Sequence, residues 1–380
     1  MSAVASVALR GDVRRFFRNF NWPLAVAAVA ATVVGLVCID SAGLHDEQVA
    51  AEVRRQMLYV VLGIGVMTGL SFVDYRNWQR WAIGLYVVNL VLLLFILRGG
   101  HSALGAQRWL SLGPLGTFQP SEPAKLIVAI ALAATLCRGS YDKLQDLWKP
   151  LLVAGVPALL ILKQPDLGTA LVLLALLSVQ LFMGLPKLGD FAIYALGVLL
   201  VGAVAVGTSV VLKPFQKTRL FVFLNPKLDP LGAGYNLNQS KIAVGSGEWL
   251  GRGLFHGTQT QLHFVPENST DFIFTVLAEE WGFAGAAALL AIYVMLLYGG
   301  IRSMLAARDR FGLLLASGIV GILFFHVLVN VGMTIGIMPI TGIPLPFVSF
   351  GGSAILTEFA AVGILLNIYG QRDRDVLGNA

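Results

Sequence analysis

Long runs of apolar residues separated by short polar stretches dominate the chain, with no strand-like alternation inside the runs. A helix crosses a hydrocarbon core of about 30 Å with roughly 20 mostly apolar residues. Runs of that kind occupy residues 24–39, 57–72, 81–97, 123–137, 150–162, 167–183, 191–212, 272–298, 311–335 and 353–369, the fifth and sixth being short for a span. A barrel strand would alternate apolar and polar residues over about 10 positions, so strands are excluded as the spanning element. The predicted fold is all-α, a polytopic membrane protein of about ten transmembrane helices. The whole chain, 1–380, reads as one membrane domain, with residues 213–270 as a loop inside it.

Composition agrees, with 57% hydrophobic and only 13% charged residues, which is the membrane class. Arg10, Arg14, Arg15 and Arg18 precede the first run. A cleaved secretory signal is disfavoured there, because small residues do not close the run and Val37 before Cys38 is wrong for a lipoprotein cleavage site. The two cysteines, Cys38 and Cys137, lie inside apolar runs and make no disulfide framework. Lys and Arg in short loops set orientation. A cytoplasmic N-terminus puts Arg76, Arg80, Arg138, Lys143, Lys149, Lys187, Arg302, Arg308, Arg310, Arg372 and Arg374 inside, and leaves Arg54, Arg55, Arg98, Arg108 and Lys163 outside. Both termini are then cytoplasmic. The net charge of +6 is explained by topology, and no nucleic-acid partner is needed.

Residues 213–270 break the pattern of short connections, and a loop of that length in a compact protein is functional or disordered. Phe215, Leu220, Phe221, Phe223, Tyr235, Ile242, Trp249, Leu250, Leu254, Phe255, Phe264 and Val265 supply apolar surface that a disordered segment lacks. The prediction is an ordered cap on the outer membrane surface. The other polar features fall on the same face: Arg108-Trp109, residues 119–125 opening the fourth helix, Lys163 to Asp166, and the Pro/Gly-rich segment 339–352. A charge within a span costs about 2.5–3.5 kcal/mol on insertion scales. Glu122 and Lys125, three residues apart on one helical face, therefore face a partner or a wet cavity, or join helices as a salt bridge.

Glu267 and Asp271 stand four residues apart where the long loop turns into the eighth helix. On residues alone, Asp271 reads first as a helix cap or first-turn acid, worth about 0.5–2 kcal/mol. Gly245-Ser246-Gly247 and Gly251-Arg252-Gly253 read as turns, since a dinucleotide fingerprint needs a strand before it and a helix after. His45, His101, His256, His263 and His326 have no metal-ligand spacing, and His326, inside the ninth span, is expected to bond a neighbouring helix.

Residues 330–354, NVGMTIGIMPITGIPLPFVSFGGSA, resemble the C-terminal signature of the SEDS family, the shape, elongation, division and sporulation proteins. Residues 119–125, 164–168, 229–235 and 266–280 also resemble family segments, so the match covers nearly the whole chain. Residues 239–243 and 256–262 look most like the RodA branch, which serves cell elongation. Phe350 departs from the Tyr usual in the family.

The resemblance implies a peptidoglycan glycosyltransferase that polymerises lipid II on the outer face of the cytoplasmic (inner) membrane. The growing strand on its polyprenyl diphosphate is the donor, and the sugar 4-hydroxyl of an incoming lipid II is the acceptor. The family aspartate at Asp271 is essential, which overturns the cap-only reading, and a carboxylate there suits removal of the acceptor proton. The leaving diphosphate calls for cations or a metal. Arg108, Lys125, Arg219 and Lys241 are the candidates, with a divalent cation (Mg or Mn) as an option and no metal ligands assigned. Glu122, Glu267, Asp166 and Ser349 complete the candidate substrate-binding set. A lipid II flippase and a non-catalytic scaffold are the alternative classes. The resemblance further implies a class B penicillin-binding protein as partner, together with other elongation-complex proteins, because no Ser-x-x-Lys motif in an outer segment could supply crosslinking. Gly282, Gly285, Ala286 and Ala288 on the eighth helix offer a small-residue docking face or an internal contact.

Overall fold

Apolar runs with no internal breaker become helices because a backbone in lipid must satisfy its own hydrogen bonds. A computed structural model describes residues 20–43, 47–99, 101–103, 106–111, 113, 116–141, 143–208, 214–262 and 264–372. Arg10, Arg14, Arg15, Arg18, His45, Lys213, His263 and Arg374 lie outside the described residues. Ten long helices coincide with the ten predicted runs. They are α1 (Trp22–Ala42), α2 (Glu47–Phe72), α3 (Tyr75–Gly99), α4 (Ser121–Arg138), α5 (Trp148–Lys163), α6 (Leu167–Gly184), α7 (Leu188–Gly207), and, after the long loop, α11 (Ile273–Leu305), α12 (Arg310–Thr334) and α13 (Gly352–Gly370). By length and hydropathy, nine stretches among the described residues are able to cross a membrane. The remaining helix, α4, carries Glu122, Lys125 and Arg138 in its 18 residues, and it is largely buried by its neighbours.

The all-α expectation holds for the bundle. The connection from α3 to α4 adds a small antiparallel sheet that the apolar pattern did not signal, β1 (His101–Ala103), β2 (Ala106–Ser111) and β3 (Thr117–Phe118), in the order β1-β2-β3. The described residues of the loop between α7 and α11 include three helices, α8 (Pro214–Leu224), α9 (Ala233–Ser246) and the short α10 (Thr258–Gln261). Helices α12 and α13 form the centre. The former packs on α4, α6 and α11, the latter on α2, and α11 lies along α1. Helix α7 is peripheral, touching the bundle mainly through α6, and exposes Leu196, Leu199, Leu200, Val201 and Val204.

Helix α11 is broken at Gly282, whose φ of 63° is left-handed. Loop residues repair the break. Phe283 and Ala284 donate their N–H groups to the carbonyls of Glu248 (2.8 Å) and Trp249 (3.0 Å), and Arg252 and Gly253 donate to Glu279 and Glu280 (3.0 Å each). The Glu279 carboxylate accepts from the backbone of Gln259 (2.8 Å) and Thr260 (3.0 Å), while Ser41 of α1 donates to Glu280. Two buried acids and a helix break thus fasten the loop to α11, which satisfies polar groups that would otherwise be costly in the interior.

Candidate functional site

Asp271 sits two residues before α11, in a turn that several elements hold. The turn closes on itself as Thr270 and Phe272 donate to the Glu267 carbonyl (3.3 and 3.1 Å). Asn330 of α12, fully buried, donates both amide hydrogens, one to the Asp271 carbonyl (2.9 Å) and one to that of Ile343 (2.8 Å). Ser349 donates to the Thr270 carbonyl (2.6 Å) and accepts from the Leu345 N–H (2.8 Å). Gln56 of α2 completes the frame, donating to the Ser349 carbonyl (3.2 Å) and accepting from the Gly351 N–H (3.2 Å). The backbone of Asp271 is therefore fixed by the 339–351 segment and two core helices, and its side chain is left to the chemistry. Ser349 is a positioning residue here.

That side chain is half-buried and faces Gly342, where φ is 72°. A Cβ placed on Gly342 would lie 3.2 Å from Asp271 Oδ2 and 3.9 Å from Arg219 Nη1, so carboxylate and guanidinium both border the space the glycine leaves open. Burial pushes the Asp271 carboxyl up to about 6, Glu267 and Asp166 push the same way, and Arg219 and Arg108 pull back. Such a value suits a general base near neutral pH.

The predicted residues fall into three places. Asp271, Glu267 and Arg219 form one cluster, and Glu267 holds Thr270 Oγ1 through its own carboxylate (3.1 Å). Asp166 and Arg108 border it but are structurally engaged. Asp166 caps α6, accepting from the Thr169 N–H (3.1 Å) and hydroxyl (2.9 Å) and from Gln119 (3.2 Å). Arg108 on β2 donates to the carbonyls of Gln164 (3.0 Å) and Pro165, with Asp166 at 4.0 Å. These bonds make Arg108 a clamp on the α5–α6 turn.

Lys125 and Glu122 are in neither place. Their ion pair (2.8 Å) is buried in the bundle interior, where Lys125 also meets His326 (3.2 Å), and His326 in turn contacts the Pro344 carbonyl (3.1 Å). They line a small, partly open cavity of about 20 Å³ with Glu358, large enough for one water. The ion pair lies within α4 and joins no two helices, while the expected interhelical bond of His326 is present in its contact with Lys125. Lys241 on α9 is exposed and lies with its alkyl chain against Gly336. Sequence reasoning assigned no role to Asn330 or Gln56. The one available signal was an amide within or at the edge of an apolar run. Among the described residues no group of three or more His, Cys, Asp or Glu side chains is placed to hold a metal ion.

The family model described as "Cell cycle protein" (FtsW, RodA, SpoVE) matches residues 22–374. The chain is 40% identical over 322 residues to peptidoglycan glycosyltransferase MrdB of Escherichia coli K12, covering 84% of this chain and 86% of that one. It is 33% identical over 426 residues to peptidoglycan glycosyltransferase RodA of Treponema pallidum, covering 92% and 97%. Among solved structures, a chain of a peptidoglycan synthase complex described as coordinating polymerization and crosslinking superposes with a TM-score of 0.81 at 32% identity, covering 94% of this chain and 99% of that one. The rod shape determining protein RodA of Thermus thermophilus gives 0.69 at 32% identity, covering 94% and 98%.

Proposed function

The chain belongs to the FtsW, RodA and SpoVE family of cell cycle proteins, and from that premise we propose that Asp271 is the base of the glycosyl transfer it carries out. It is a multi-pass membrane protein and a peptidoglycan glycosyltransferase. In the proposed reaction the 4-hydroxyl of one lipid II attacks the anomeric carbon of the strand held on polyprenyl diphosphate. The C–O bond to the diphosphate breaks, the leaving group takes the electron pair, and Asp271 takes the hydroxyl proton. The observation that carries this is the half-buried Asp271 carboxyl, on a backbone held by Asn330 and, through Thr270, by Ser349, and set near Arg219, with an affinity for protons raised to about 6. Arg219 is the cation best placed for negative charge at this site. Glu267 raises the basicity of Asp271.

The site is assigned to the extracytoplasmic face and both termini to the cytoplasm. In support, the loop cations predicted inside gather at the end of the bundle opposite Asp271. Arg76 pairs with Asp309 (3.3 Å), Arg138 reaches the Gln79 carbonyl (3.5 Å), Arg310 reaches that of Gly184 (2.7 Å), and Arg308 that of Arg372 (2.6 Å). The partner is a class B penicillin-binding protein of the elongation complex, a reading supported by the likeness to a chain of a polymerization and crosslinking complex. Purified chain supplied with lipid II alone is expected to make glycan strands, resolved by gel. Movement of lipid II across vesicles without any polymer would favour the transporter class instead.

A further inference from the structure

The loop segment clasped into the α11 break turns its side chains outward. Trp249 is 73% exposed and Leu250 82%, although the backbone just before and at Trp249 is tied to α11 by the bonds from Phe283 to Glu248 and from Ala284 to Trp249. The Trp249 ring meets Phe283 edge-on, with centroids 5.1 Å apart. Phe283 is itself 60% exposed and begins the outward stripe of α11 that continues through Leu290, Val294 and Ile301. The three side chains form an apolar patch continuous with a membrane-facing helix surface.

Length places this patch in depth. At about 1.5 Å per residue, residues 283–305 rise about 34 Å, which matches a hydrocarbon core of about 30 Å. Residues 273–281 are then surplus to crossing, and their buried Thr275, Glu279 and Glu280 suit protein and loop surroundings. The break at Gly282 therefore falls at the edge of the hydrocarbon, where tryptophan is enriched because its ring is apolar and its N–H polar.

We propose that Trp249 and Leu250 are immersed in the lipid leaflet on the Asp271 side, as an interfacial anchor that sets the depth of the catalytic turn. The occupant of the patch is lipid, because the patch prolongs the lipid face of α11 at the level where hydrocarbon ends. The anchor does not depend on the chemistry assigned to Asp271. Through the clasp, it holds the start of α11, two residues after Asp271, about 13 Å along the helix from the hydrocarbon edge.

The test uses the full chain with Cys38→Ala and Cys137→Ala, carrying Leu250→Cys or Trp249→Cys. Each is spin-labelled and reconstituted alone in phosphatidylcholine vesicles, with lipid II polymerisation as the check on folding. Collision of the label with oxygen, which concentrates in lipid, is expected to exceed collision with a water-soluble nickel chelate at both positions. Greater access to the nickel chelate at both overturns the anchor and leaves the patch to a protein partner. A lipid signature at Leu250 alone overturns the share given to Trp249.

Discussion

At the scale of single residues, Asp271 shows how one carboxylate is prepared. Its backbone is held by Asn330, and by Ser349 through Thr270, while its side chain is surrounded by opposing charges. A base works when deprotonated, so polymerisation should rise with pH through about 6 and then level off. Glu267 raises that value, so Glu267→Gln should move the acid limb of the pH–rate profile to lower pH with a milder loss of rate than any change at Asp271. A limb that stays in place would remove Glu267 from the electrostatics. The position of the acid was legible because Glu267 and Asp271 stand four residues apart at a helix entrance, and the proposed role came from the family resemblance. The duties of Arg108 were not legible. A cation in an outer loop looks free, and only the fold shows the Gln164 and Pro165 carbonyls taking its hydrogen bonds. Asn330 and Gln56 were hidden for a related reason, since their partners are backbone groups far away in sequence.

At the scale of elements, the ten runs were read correctly because hydropathy reports burial in lipid directly. The two-part construction of α11 escaped that reading. A glycine in an apolar run looks like a packing residue, and nothing local announces that Gly282 takes φ 63° to admit a loop segment some 30 positions earlier. A Cβ at Gly282 would come 2.3 Å from the Gly251 nitrogen. Gly282→Ala is therefore expected to cost about 1–3 kcal/mol, read as a lower midpoint of thermal unfolding in detergent. An unchanged midpoint would contradict the clasp. The small-residue face resolves at Gly285 in favour of the internal contact, because a Cβ there would meet Trp281 Cβ at 2.2 Å. A bulky residue at Gly285 thus disturbs the helix itself, and is no clean probe of docking.

At the scale of the whole molecule, the short-loop cations Arg76, Arg138, Arg308 and Arg310 make their bonds at one end of the bundle, and the Asp271 cluster with its helical cap, itself carrying Arg219 and Lys241, lies at the other. That polarity predicts that cysteines placed at Ser246 and Thr258 react with a membrane-impermeant thiol reagent in cells with an intact inner membrane. Labelling at both only after permeabilisation would invert the topology and part the site from its substrate. Lys125, Glu122 and His326 form a separate centre inside the bundle, in which the Lys125–His326 contact links α4 to α12. The central claim is that one carboxylate at the entrance of α11 performs the proton transfer. Its most direct test is lipid II polymerisation by the purified Asp271→Asn protein, in which the amide keeps the size of the side chain but cannot take the proton. With folding and membrane insertion intact, the rate should fall by about 10²–10⁴, whereas polymerisation close to that of the unaltered chain would contradict the assignment.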